Sequence, residues 1–82
     1  MKDAIKYLVG KTISGVVVKS SNRTPRIQVF LVFTDDTYYE FYCGSGDLTG
    51  AGAIDRGGLE AVRLYMAESH KIIQEYSSIN KS

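Results

Sequence analysis

Residues 59–76 read LEAVRLYMAESHKIIQEY. Leu59, Val62, Met66, Ser69, Ile73 and Tyr76 recur at alternating spacings of three and four, the stripe of an amphipathic helix. Tyr65 and Ile72 widen it on one side, and Arg63, Ala67, His70, Lys71 and Gln74 lie largely opposite. The spacing predicts one long C-terminal helix over Leu59–Tyr76, with Asp55 as a candidate cap for an early start. This helix sets the fold, because a strongly apolar stripe needs a sheet face to bury itself on.

That face comes from upstream. Ile27, Val29, Leu31 and Phe33 alternate strictly with other residues, and Tyr39, Phe41 and Cys43 do the same further on. Period-2 alternation marks half-buried strands, expected over Arg26–Thr34 and Thr37–Cys43. A two-residue turn at Asp35-Asp36 would set Leu31 opposite Glu40 and bury a carboxylate among aliphatics, which is costly. A three-residue loop, Asp35–Thr37, keeps one face free of charge and pairs Phe33 with Tyr39, Leu31 with Phe41 and Val29 with Cys43. Such a loop needs a residue in the left-handed region, which Asp tolerates well.

A first strand is expected over Lys11–Ser20, where the run Val16-Val17-Val18 favours extended backbone. A bulge near Gly15 would bring Ile13 onto the face of Val16 and Val18. Residues 20–25, SSNRTP, read as a loop. Asp3–Val9 predicts a short helix capped by Asp3 and ended by Gly10. The expected architecture is therefore α+β in two layers: a short N-terminal helix, a three-stranded antiparallel meander, a glycine-rich loop, and a long C-terminal helix lying over Ile27, Val29, Leu31, Phe33, Tyr39 and Phe41. The 82 residues form one domain, 1–82, with 77–82 as a frayed tail.

Composition excludes several functions. Net charge is +1, so no strong field draws in nucleic acid, anionic lipid or an acidic substrate. No apolar run is long enough to span a bilayer, and the N-terminus lacks the apolar centre of a signal peptide. The lone cysteine forms no internal disulfide. These features predict a cytoplasmic protein. One Cys and one His supply too few ligands for a structural zinc site, so no metal and no cofactor are expected.

Motifs give no catalytic set. Six of the eight glycines lie between Gly44 and Gly58, where successive amides and a helix start would suit an anion. Yet the phosphate-binding lysine of a Walker loop is missing, and Thr49 stands where a dinucleotide loop needs its third glycine. The segment reads as a flexible connection, with a small-ligand or anion site at 44–58 as an alternative. Cys43 reads as a buried structural cysteine, His70 as a solvated surface histidine, and Asp35 and Asp36 as turn residues. Lys19, Arg23 and Arg26 cluster about the first hairpin loop, a possible nucleic-acid contact with Tyr38 and Tyr42 available for stacking.

The sheet's second face carries Phe30, Val32, Tyr38 and Tyr42, although a singly covered antiparallel sheet should be polar there. A lid is called for: the N-terminal helix, a second copy of the chain, or another protein. The reading that follows is a non-catalytic protein-interaction module, self-associating through Phe30, Val32, Tyr38 and Tyr42, with aromatic anchors at its centre.

Overall fold

A computed structural model describes residues 3–44 and 46–78, the side chain of Asp3 excepted. A 3-10 helix, Asp3–Leu8, leads into β1 (Ile13–Ser20), β2 (Ile27–Phe33) and β3 (Thr37–Cys43). Two short strands follow, β4 (Leu48–Gly50) and β5 (Asp55–Arg56), then helix α1 (Leu59–Leu64) and strand β6 (Lys71–Ser77). All pairings are antiparallel, in the order β4-β3-β2-β1-β6, with β5 also on β3. The molecule is a slab of 34 × 30 × 16 Å.

The expected two-layer α+β arrangement with a long C-terminal helix is thus wrong. Only Leu59–Leu64 is helical, and Lys71–Ser77 is a strand beside β1. Tyr65 leaves the helix with extended backbone (φ −64°, ψ 119°), and Met66 turns at φ 52°. No glycine or proline marks this stop. A tertiary contact does: the buried Lys19 ammonium donates a hydrogen bond to the Tyr65 carbonyl, one of the acceptors a helix end leaves open. The Tyr65 ring meets Phe30 edge-on, with centroids 5.9 Å apart. Beyond the turn, β-branched Ile72 and Ile73 suit a strand, and the outer edge of β1 offers a row of backbone groups that β6 satisfies. Ser77, expected in a frayed tail, is the last residue of β6; residues 79–82 of that tail lie outside the described residues, as does the Asp3 cap.

The hairpin of β2 and β3 has a three-residue connection, Thr34 to Asp36, one position earlier than expected. Leu31 therefore faces Tyr39, Val29 faces Phe41 and Phe30 faces Glu40. The pairing differs from the expected one by two residues in its sum, so the same side chains still share each face. Asp36 takes the left-handed position, φ 64°. A bulge between Ile13 and Gly15 sets Ile13 across from Phe33, on the side of Val16 and Val18.

Two apolar clusters lie on opposite faces. On one, α1 brings Val62, Leu59 and Ala61 onto Val17, Phe30, Val32 and Tyr38. On the other, Ala4 and Leu8 of the 3-10 helix, with Ala51 and Ile54, pack on Phe33, Tyr39, Leu31 and Phe41. The helices have exchanged the faces expected of them. Ala4, Leu8 and the chain after β4 cover the aliphatic set assigned to the long helix, and α1 covers Phe30, Val32 and Tyr38.

Candidate functional site

The glycine-rich segment is built into the sheet. β4 pairs Leu48, Thr49 and Gly50 with Cys43, Tyr42 and Phe41, and β5 pairs Asp55 and Arg56 with Tyr38 and Thr37. The Tyr39 hydroxyl donates to the Ala51 carbonyl at 2.6 Å, holding the crossing between them. At its end Gly57 (φ 122°) brings the backbone so close to α1 that an added Cβ would sit 2.6 Å from Ala61 Cβ. Glycine here serves close approach and an unusual backbone angle. Ser45 lies outside the described residues.

Of the surface assigned from sequence, Phe30 is fully buried, Val32 is 3% exposed and Tyr38 8%, all against α1 or its neighbours. The lid called for there belongs to this chain. Tyr42 is half-buried. The basic cluster is divided: Arg23 and Arg26 are exposed, but Lys19 is wholly buried, its ammonium 5.3 Å from the Phe30 ring centroid. Cys43, expected in the core, is half-buried at the end of β3.

Two arrangements have chemical consequences. The first is an aliphatic sheet face away from α1. Val16, Val18 and Val29 are half-buried, Ile27 is 40% exposed and Tyr76 65%. Register places them together: Val16 with Leu31 and Tyr76, Val18 with Val29 and Gln74, Ile27 with Cys43. The 3-10 helix covers the end of this face near Phe33 and Tyr39. Val16, Val18, Val29 and Ile27 belong to neither core cluster.

The second is a polar group under the turn that follows α1. Lys19 and Tyr42 flank Gln28 in register across β1, β2 and β3, and Glu40 stands two residues along β3 from Tyr42, on the same face and opposite Phe30. Gln28 Nε2 donates to Glu40 Oε2 at 2.8 Å and approaches Met66 Sδ at 3.7 Å. Burial pushes the Glu40 carboxyl above its ordinary range, partly offset by the Gln28 hydrogen bond. Burial also lowers the Lys19 ammonium, while the Glu40 charge opposes that shift. His70, expected at the surface, is 2% exposed. Its Nε2 lies 2.7 Å from the Pro25 carbonyl, which can only accept, so Nε2 carries the proton. Ser69 Oγ meets Nδ1 at 2.7 Å.

Sequence patterning missed His70 and the polar group because both depend on the turn at 65–69, where a continuous helix was expected. Lys19, Gln28 and Glu40 stand on three different strands, so only the pairing of those strands brings them onto one face.

Among the described residues no cluster of three or more His, Cys, Asp or Glu side chains is placed to hold a metal ion, and no helix is long and apolar enough to cross a membrane. No protein-family model, curated protein or solved structure matches the chain.

Proposed function

We propose that this protein is a small, non-catalytic interaction module of the cytoplasm that self-associates through the sheet face bearing Val16, Val18, Ile27, Val29 and Tyr76. The observation that carries the reading is aliphatic side chains on the central strands β1 and β2, left partly open on the side away from α1. The 3-10 helix, Ala51 and Ile54 cover only the part of this face around Phe33, Tyr39 and Phe41, and an uncovered stretch of sheet is ordinarily polar. The occupant we favour is a second copy. The patch formed by these five residues has no charge with which to select an opposite one, and a flat aliphatic surface is its own complement about a two-fold axis. Two such sheets stack about 10 Å apart with side chains interdigitating. An outline of 34 × 30 Å leaves room for the ~800 Å² per partner of a standard interface. The edge of β6 is a poorer route, because a bulge at Ile73 and the charge of Lys71 discourage strand addition.

Sedimentation equilibrium from micromolar to submillimolar concentration tests the reading. A dimer is expected, and Val18→Lys should return it to monomer. The gentler pair Ile27→Ser with Tyr76→Ser should weaken it while circular dichroism stays that of the parent. A parent chain that is monomeric throughout the range would end this proposal.

A further inference from the structure

On the opposite side of the sheet, Pro25, Gln28, Glu40, Tyr42, Tyr65 and Met66 line a cleft of about 290 Å³. Gln28 is fully buried. Its Nε2 is taken by Glu40 and Met66, whereas its Oε1 is buried without a donor among the described residues. Turning the amide over does not help, since Oε1 would then face the Glu40 carboxylate. A buried acceptor left without a donor is costly, and it marks the place where a donor is missing.

The neighbouring donors do not fill that need. The Lys19 ammonium bonds the Tyr65 carbonyl and lies over the Phe30 ring. Both ring nitrogens of His70 are engaged by Pro25 and Ser69. Glu40 therefore has a neutral amide as its hydrogen-bond partner; the Asp55 charge works against its ionised form, and the Lys19 charge, acting without a hydrogen bond, favours it to a smaller degree. Tyr42 and Tyr65 add aromatic surface to the same walls, which favours a cation. The cleft is at the small end of ligand sites, and its formal charge is negative, which disfavours nucleotides and other phosphates. A hard divalent ion wants more oxygen ligands than one carboxylate and one amide supply.

We propose that the cleft between Gln28 and Glu40 binds a small organic ammonium ion that carries at least one N–H. The Glu40 carboxylate supplies the counter-charge, Gln28 Oε1 accepts the N–H, and Tyr42 and Tyr65 enclose the alkyl part. This site is independent of the self-associating face.

Titration of the isotope-labelled full chain with propylammonium chloride, followed by amide and side-chain NMR, tests it. Saturable shifts are expected at the Gln28 side-chain amide, Glu40, Tyr42 and Tyr65. Tetramethylammonium, which has no N–H, should bind at least about tenfold more weakly, and sodium chloride at equal ionic strength should not saturate the site. Glu40→Gln should abolish the response. Should that variant lose its dispersed spectrum, Tyr42→Leu serves instead and should weaken binding while keeping the fold. Absence of saturable shifts in the parent, or an unaltered response in the folded variant, overturns the proposal. Its failure would leave the sedimentation result on the other face untouched.

Discussion

Arg63 of α1 and Glu75 of β6 are joined by a forked ion pair: Arg63 Nε donates to both Glu75 carboxylate oxygens, at 3.1 and 3.2 Å, and Nη2 donates to Oε2 as well. In one continuous helix these residues would be about 18 Å apart along the axis. Their contact is therefore a signature of the reversal at 65–70, and it ties the edge strand to the helix above the sheet.

Breaking that pair should loosen β6 before the rest of the sheet. Arg63→Ala is expected to reduce hydrogen-exchange protection of the β6 amides that bond to β1, with protection in β2 and β3 little changed. Acid should do the same. The Arg63 hydrogen bond holds the Glu75 carboxyl below its ordinary 4.5. Its contribution is present above that value and is lost as the pH falls through the lower folded-state value. Glu75→Gln should flatten this part of the acid limb in thermal melts. Equal protection of β6 in Arg63→Ala and parent would remove the pair from the account.

Glu40 has the opposite sign. Burial raises its folded-state pKa above the ordinary 4.5, so its ionisation opposes folding. The relative stability of the protonated form is fully present below 4.5 and is lost as the pH rises through the raised value. Glu40→Gln keeps an acceptor for Gln28 Nε2 and carries no charge. It should melt higher than the parent at pH 7, with the difference closing as the pH falls below the ordinary value. A lower melting temperature at pH 7 would contradict this description of the cleft.

Phe30 is the largest apolar side chain common to the interior and the polar group: it touches Tyr38 and Tyr65 edge-on and lies under the Lys19 ammonium. Phe30→Ala should cost about 3–5 kcal/mol in urea denaturation. That is a large part of the roughly 5–15 kcal/mol stability of a typical domain. A loss of less than about 1 kcal/mol would mean that Phe30 is not the buried centre of its face.

Gly57 and Gly46 separate two causes of glycine dependence. Both have positive φ, 122° and 108°, but an added Cβ at Gly46 meets nothing within 4 Å, whereas at Gly57 it meets Ala61 Cβ. Gly57→Ala should destabilise by more than about 1 kcal/mol, and Gly46→Ala by less, measured as the shift in urea midpoint. Equal losses would assign the whole effect to backbone strain.

Chain-local chemistry determined much of this molecule. Strict alternation from Ile27 to Phe33 and from Thr37 to Cys43 determined the central hairpin, because period 2 admits one sorting of side chains onto two faces. The cost of burying Glu40 among aliphatics excluded the even-length turn, and Asp36 met the backbone demand of the odd one. The bulge at Gly15 was legible from the change of parity between Ile13 and Val16. The candidate sites were less so: Gln28, Glu40 and His70 had no local signal of convergence.

What only the tertiary structure decided was the fate of residues 65–77 and hence which helix covers which face. Their helical spacing is present in the sequence, but so are β-branched Ile72 and Ile73, and local preference alone is a weak prior. The open edge of β1, a row of backbone donors and acceptors over Gly15–Ser20, is satisfied when Lys71–Ser77 lies beside it. The Lys19 ammonium takes the carbonyl where α1 stops. Those partners are more than 40 residues away along the chain, so no window of neighbouring residues contains them.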